Sequence, residues 1–308
     1  MSKKYTLSLI LAVLLIGIIL FISPKQQTLN IKQSDKLQVA TSFYPLYFFS
    51  SAIGGDKANV INLTPAATEP HDYEPTAQDI KQIDNSNLLI LNGGGLEAWS
   101  NNIKQNINPN YTQIVTAGAD LANQQTIENG QSILDPHFWL SPPLAEKMVD
   151  KITAGFIQVD PINQDYYLSN SNILKNKLDE LDTAYKQGLQ NCAQKNIITS
   201  HSAFGYLAAT YGLNQISITG LSPDSEPSPK QLADIVKFVT NNNVKNIFFE
   251  SLVSPKLSDT IANEVGAKTL VLNPIEGLTK DEIKQGQDYF TEMQTNLVNL
   301  QIALECQK

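Results

Sequence analysis

The chain has few residues of the kinds that bind transition metals most readily. Its 308 residues include only three histidines and two cysteines, Cys192 and Cys306. No HExxH helix, EF-hand loop or CxxC pair occurs, which excludes a metal site built from one short segment. Neither cysteine lies near a histidine in the sequence, which argues against a thiolate metal site. A metal site in this protein needs ligands that the fold brings together.

Signals for nucleic acids and nucleotides are also missing. The net charge is −8, from 30 acidic and 22 basic residues, which argues against a nucleic-acid partner. The segment NGGGLEAW lacks Gly-x-Gly-x-x-Gly spacing and a following Lys-Ser/Thr, so it predicts a tight turn and not a phosphate-binding loop. No Gly-x-Ser-x-Gly motif surrounds the sequence Ser200-His201-Ser202, so no hydrolase nucleophile is predicted there.

The N-terminus carries a membrane-targeting pattern. Lys3 and Lys4 precede an uncharged run, residues 5–22, that is rich in leucine and isoleucine. The run is longer than the core of most signal peptides and about as long as a spanning helix. We predict that residues 1–29 are a signal or an N-terminal membrane anchor. The anchor is favoured because no A-x-A-like cleavage site follows, and either way the rest of the chain lies outside the cytoplasm.

Short β-rich runs alternate with amphipathic runs through the remainder of the chain. Such alternation predicts parallel α/β sheets, and mostly apolar runs are typical of strands buried on both faces. The predicted strands are 37–43, 59–65 and 87–93 in the first half, and 195–200, 214–220, 244–251 and 269–274 in the second. About 280 residues are too many for one small core, so two lobes are expected.

One long amphipathic segment separates the two halves. Apolar residues recur there at intervals of three and four from Leu174 to Leu189, which predicts a single helix from about residue 163 to 189. A helix of that length spans roughly 40 Å and is stiff enough to bridge two lobes. We therefore predict a first lobe over 30–160, a linking helix over 161–191 and a second lobe over 192–308.

The two cysteines are expected to pair if the protein lies in an oxidising compartment. A bond between Cys192 and Cys306 would close a loop of more than a hundred residues and tie the end of the chain to its middle. Two free thiols are the alternative.

The three histidines are the strongest candidates for a shared site. His71 and His137 each follow an acid-proline pair, in EPHDYEPT and DPHFWLSP, and His201 directly follows a predicted strand. Ligands in open α/β sheets bind at the carboxyl ends of strands, which places His201 suitably. Imidazole is the commonest metal ligand, and three imidazoles suit Zn²⁺ with a carboxylate or water as the fourth ligand. Solvated loop histidines are the alternative.

Six motifs, in order along the chain, resemble those of the zinc-binding solute-binding proteins of ABC importers, a cluster of proteins that also serves manganese and iron. The motifs are SFYPLYFF…IGGD, EPHDYEPTAQDI, LLILNGGGLEAW, DPHFWLSP, TSHSAFGYLAATYGL and LVLNPIEGLT. The resemblance covers roughly residues 37–305. It implies two Rossmann-like α/β lobes with parallel sheets, joined by one long rigid helix, with the metal site in the cleft between the lobes.

The resemblance also implies a ligand set. His71, His137 and His201 match the family's three histidine ligands, and a carboxylate from LNPIEGLT is expected as the fourth. Many relatives have Asp where this chain has Asn273, so Glu276 is the expected ligand; Asn273 and Glu69 are weaker candidates. Manganese-type members replace the third histidine by a carboxylate, so His201 favours Zn²⁺. Cys192 and Cys306 match a disulfide found in many relatives.

These matches imply a monomeric, non-enzymatic protein that captures Zn²⁺ outside the cytoplasm and delivers it to a permease with its ATPase. The protein is expected in the periplasm or at the outer face of the cytoplasmic membrane, tethered or secreted through its N-terminal segment. The alternatives are the same fold binding Mn²⁺ or Fe²⁺, a zinc hydrolase with three histidine ligands, and a metal-stabilised adhesin. The chain departs from the family in lacking a His-rich loop before the second ligand and a lipid-bearing cysteine.

Overall fold

The N-terminal lobe is built on a four-stranded parallel sheet. The computed structural model describes residues 36–128, 131–223 and 225–307, so the prediction for residues 1–29 lies outside the described part. The strands run in the spatial order β2-β1-β3-β4. They are β1 (Leu37–Thr41), β2 (Ala58–Asn62), β3 (Leu88–Leu91) and β4 (Gln113–Thr116).

Helices join the strands of this first sheet and cover it. They are α1 (Tyr44–Gly54), α2 (Ala77–Asp84), α3 (Ser100–Asn106) and α4 (Pro142–Val159). All four residues of β3 are buried, as expected for a strand covered on both faces. A small antiparallel hairpin, β5 (Gln125–Glu128) and β6 (Gln131–Leu134), precedes α4.

The C-terminal lobe repeats the βα alternation. Strand β7 pairs in parallel with β8, β9 pairs in parallel with β10, and β7 lies beside β9. These strands are β7 (Asn196–Thr199), β8 (Asn214–Ser217), β9 (Asn246–Phe249) and β10 (Lys268–Val271). The helices are α6 (Gly205–Tyr211), α7 (Pro229–Asn241), α8 (Lys256–Val265), α9 (Lys280–Lys284) and α10 (Tyr289–Ala303). Buried aliphatic residues of β7, β9, α7 and α8 form the core of this lobe.

The long linking helix is present as α5 (Gln164–Leu189), 26 residues within one residue of the predicted bounds. Its leucine face is buried along the whole helix. It packs against α4 and α1 of the N-terminal lobe and against α10 of the C-terminal lobe. The Tyr185 hydroxyl donates a hydrogen bond of 2.7 Å to the Met293 carbonyl. This packing confirms the prediction of two α/β lobes joined by one long helix.

The structure also corrects the sequence-based description. All seven predicted strands are present, but β4 and the hairpin β5–β6 were not predicted. The hairpin consists largely of Gln, Thr, Ser and Glu, so it lacks an apolar run. Within the described ranges, no helix combines the length and apolar character needed to span a membrane.

Cys192 and Cys306 form the expected disulfide. It joins the segment after α5 to the segment after α10, and backbone hydrogen bonds from Ala193 to Glu305 and from Gln194 to Leu304 flank it. The two cysteines are 114 positions apart in the sequence. The bond therefore restricts the unfolded chain over a long loop.

We expect a double C192S/C306S variant to lose about 4–5 kcal/mol of unfolding free energy, because a cross-link over roughly a hundred residues removes that much chain entropy from the unfolded state. Urea denaturation of the metal-free proteins measures the loss. Reductant should destabilise the parent by a similar amount and leave the variant unchanged. Equal stability of parent and variant would show that the bond contributes little.

Candidate metal centre

A short 3-10 turn, Pro70–Asp72, presents the first histidine. The Glu69 carboxylate accepts a hydrogen bond from the His71 backbone amide at 3.2 Å. After the turn, the Tyr73 hydroxyl donates to Asp79 at 2.7 Å, and Asp79 also closes a capping box with Thr76 at the start of α2. The loop that carries His71 is therefore anchored on both sides of the histidine. Its side chain is 12% exposed, the most accessible of the three histidines.

The second histidine precedes another 3-10 turn, Phe138–Leu140, and is fully buried. Asp135 holds it twice. One carboxylate oxygen accepts the His137 backbone amide at 2.9 Å and also contacts the ring Nδ1 at 2.7 Å. The Asn92 side-chain amide donates to the Pro136 carbonyl at 2.9 Å, which fixes the loop to the end of β3.

The third histidine follows β7 and is held by an acid that follows β9. Glu250 accepts the His201 backbone amide at 3.1 Å and contacts the ring Nδ1 at 2.7 Å. Both residues are nearly inaccessible to solvent. Because β7 and β9 are neighbours, their carboxyl ends place His201 and Glu250 side by side although they are 49 positions apart.

The carboxylate of Glu276 lies among the three Nε2 atoms. Its Oε1 is 3.1 Å from His137 Nε2, 3.3 Å from His71 Nε2 and 3.4 Å from His201 Nε2. Two nitrogen pairs are equally close, at 3.3 Å for His71 and His137 and 3.4 Å for His137 and His201. All four ligand atoms lie within 4.8 Å of one another.

Five of the six separations among the four ligand atoms match the edges of a small tetrahedron. Ligands that surround Zn²⁺ tetrahedrally at about 2.0–2.1 Å are about 3.3–3.4 Å apart. The five separations measured here run from 3.1 to 3.4 Å. The four ligand atoms therefore lie close enough together, all within 4.8 Å of one another, to bind one small metal ion.

The carboxylates behind the histidines orient the rings for metal binding. Asp135 and Glu250 each accept from Nδ1, so the neutral ring carries its proton there and turns the lone pair of Nε2 toward the centre. A carboxylate–histidine–metal arrangement of this kind makes the imidazole a stronger ligand. The cluster thus presents two oriented imidazoles, one more accessible imidazole and one carboxylate.

Protons and the metal compete for this cluster. Burial lowers the pKa of His137 and of His201, but the nearby carboxylates outweigh it. Asp135 and Glu276 raise the pKa of His137, and Glu250 and Glu276 raise the pKa of His201 well above its usual value. Burial raises the pKa of Glu276, yet His201 and the other two histidines lower it well below the usual range. Without a metal, these shifts favour the protonated forms of His137 and His201.

The two weaker candidates lie next to the cluster but outside it. Asn273 accepts from the Ile275 amide at 2.8 Å and donates to Glu292 at 3.1 Å, so its side chain is engaged within the C-terminal lobe. Burial and the charge of Glu276 raise the pKa of Glu69 to about 9, and its carboxyl group is not among the four clustered ligand groups. The structure brings together His71, His137, His201 and Glu276.

Two acidic residues that hold the histidines in place were not predicted from the sequence. Asp135 precedes His137 by two positions, as Glu69 precedes His71, and this shared spacing is the signal that could have found it. Glu250 ends a predicted strand, but nothing local relates it to His201. The NGGGLEAW segment is a turn with positive φ at Gly93, Gly94 and Gly95, closed by Glu97 onto the Asn92 and Gly93 amides.

The chain is similar in sequence to proteins of zinc uptake. The family described as ZnuA, zinc-uptake complex component A, periplasmic, matches residues 39–303. The high-affinity zinc uptake system protein ZnuA of Bacillus subtilis is 42% identical over 283 residues, which cover 88% of this chain and 89% of that protein. The zinc-binding protein AdcA of Streptococcus pyogenes serotype M18 is 37% identical, and the match covers 91% of this chain but 58% of that longer protein.

A solved structure is similar in both sequence and shape. The Zn(II)-bound ZnuA-like domain of Streptococcus pneumoniae AdcA superposes with a TM-score of 0.77 at 37% identity. The similarity covers 88% of this chain and 99% of that domain. The two-lobe architecture described above is therefore shared with a structure that contains zinc.

Proposed function

The chain belongs to the ZnuA family of zinc-uptake components, and from this membership we propose that it captures Zn²⁺ outside the cytoplasm and delivers it to an ABC-type metal importer. Zinc is the ion that its relatives are named for, and three imidazoles with one carboxylate suit it chemically. His71, His137, His201 and Glu276 are the proposed ligands, supported by the close approach of their ligand atoms, which all lie within 4.8 Å of one another.

The same arrangement favours transport over catalysis. A catalytic zinc keeps one position for water or substrate, whereas four protein ligands fill the sphere. The family is one of transport proteins and not of enzymes. We therefore propose a binding protein without hydrolytic activity, in which Zn²⁺ is the cargo.

The cellular location and the partners of the protein follow from the same proposal. ZnuA-family proteins lie outside the cytoplasm, and the disulfide suits an oxidising compartment. We propose that residues 1–29 direct or tether the chain to the membrane, that the protein acts as a monomer, and that a permease with its ATPase receives the metal. The bounds of α5 support a division into a first lobe (30–160), a linking segment (161–191) and a second lobe (192–308).

Competition calorimetry tests the choice of metal. We expect one Zn²⁺ per chain, and we expect zinc to displace Mn²⁺, because imidazole-rich tetrahedral sites prefer zinc and manganese prefers oxygen ligands. The protein is first stripped with a chelator, then titrated with each metal alone and with zinc in the presence of manganese. Micromolar Mn²⁺ binding with negligible Zn²⁺ binding would overturn the assignment of the cargo.

A further inference from the structure

The turn that carries Glu276 is held from the opposite lobe by a tryptophan. Trp139 Nε1 donates a hydrogen bond of 2.7 Å to the carbonyl of Pro274, two residues before Glu276. Trp139 is completely buried, and Pro274 is buried as well. This contact joins the DPHFWLSP loop of the N-terminal lobe to the LNPIEGLT loop of the C-terminal lobe.

The turn itself adopts a backbone conformation that needs support. Ile275 has φ of 58°, in the left-handed region that β-branched residues rarely enter. Its side chain is fully buried, and its amide donates to the Asn273 side chain at 2.8 Å. Strained residues of this kind persist only where the surrounding structure holds them in place. Here Asn273 holds one side of the turn and Trp139 the other.

Trp139 is in turn fixed on three sides. Its ring packs edge-on against Phe43, with ring centroids 4.7 Å apart. The Tyr289 hydroxyl of the C-terminal lobe donates to the Trp139 carbonyl. His137, two residues earlier, has its ring centroid 5.2 Å from that of Trp139. One short segment therefore supplies a proposed ligand, His137, and also the donor that fixes the turn of another, Glu276.

We propose that Trp139 is a positioning residue for zinc, which holds Glu276 at ligand distance through its hydrogen bond to the Pro274 carbonyl. The inference rests on the proposed zinc-binding function and adds a residue that is not itself a ligand. Without the indole N–H, the Pro274 carbonyl is left buried and unpaired, which is unfavourable. The turn relaxes toward a donor elsewhere, and the carboxylate of Glu276 moves away from the three histidines.

A double-mutant cycle tests this role. W139F keeps an aromatic ring but removes the donor, and E276A removes the ligand through which Trp139 acts. We expect W139F to weaken zinc binding by about 10–100-fold in the parent, the usual effect of losing a residue that orients a ligand. In the E276A background, W139F should change zinc affinity by less than about threefold, because the carboxylate that Trp139 positions is already absent.

Y185F is a matched control, because Tyr185 is also a fully buried aromatic donor, 2.7 Å from the Met293 carbonyl. It should lower stability but leave zinc affinity unchanged. Unaltered zinc binding by W139F, or an equal loss in both backgrounds, would overturn the positioning role. N273A removes the other hydrogen bond of the turn and should also weaken zinc binding; if W139F does not fold, unaltered zinc binding by N273A would show that the turn needs no support and would overturn the proposal. If the parent itself fails to bind zinc, it is the proposed function that fails.

Discussion

A variant with all three histidines changed to alanine is expected to lose specific zinc binding and all zinc-dependent stabilisation. In the parent, zinc at about a thousand times its dissociation constant stabilises the folded state by about 4 kcal/mol, because only the folded chain assembles the site. For a protein of this size, with about 2.1 cal/mol/K of unfolding entropy per residue, that corresponds to a rise in melting temperature of about 6–8 °C. The H71A/H137A/H201A variant leaves one carboxylate at the centre, and its melting temperature should rise by less than about 2 °C.

Thermal unfolding with and without zinc, together with calorimetry, measures both effects. The parent treated with a chelator is the matched control, since it has the complete cluster and no metal. Circular dichroism of the metal-free variant shows whether the fold is kept. A variant that still binds zinc like the parent would show that the proposed ligands lie elsewhere in the chain.

The architecture could be predicted largely because it depends on local patterns. Strands buried on both faces give apolar runs such as the Leu88–Leu91 core of β3, and the leucines of α5 recur at helical spacing. Strand β4 (Gln113–Thr116) was not predicted. All four of its residues are only half buried, so its run of apolar residues is shorter than that of a strand buried on both faces. The hairpin β5–β6 is largely polar and has no apolar run long enough to predict a strand.

The site could be predicted only in part, because it depends on which chain segments meet. The small number of histidines and their positions after acid-proline pairs or a strand singled out all three, and the motif resemblance was needed to select Glu276 from nearby polar residues. Nothing local distinguishes Glu276 from Glu69; the difference is that the fold brings an oxygen of Glu276 to three histidine nitrogens and leaves Glu69 outside this cluster. Glu250 reaches His201 only because β9 lies beside β7.

A large effect of pH on zinc affinity is also expected. If zinc binds at the proposed ligands, it takes the Nε2 lone pairs for which protons compete, so zinc binding displaces protons. The carboxylates around His137 and His201 raise the pKa of both rings. Zinc must therefore displace protons even at a pH above the usual imidazole pKa of about 6.5. Glu276, with its pKa lowered, stays ionised and releases no proton.

Zinc affinity should therefore fall by about 10–100-fold for each unit of pH lowered from 8 to 6, corresponding to one or two protons displaced per zinc. For folding, a histidine with a raised pKa stabilises the metal-free protein at low pH and loses this contribution as pH rises through that pKa. The zinc-bound protein gains stability as the pH rises, because fewer protons compete with the metal for the histidines. The stabilisation caused by zinc should thus increase between pH 6 and pH 8.

Calorimetry in buffers of different ionisation enthalpy counts the protons released, and melting temperatures across the same pH range measure the stabilisation. D135N is a suitable comparison, because it weakens the acceptor that raises the pKa of His137 while leaving all four proposed ligands in place. It should release fewer protons at neutral pH and show a shallower pH dependence. An affinity that stays constant from pH 8 to pH 6 would mean that protons do not compete with zinc at these nitrogens, and the cluster would then not be the zinc site.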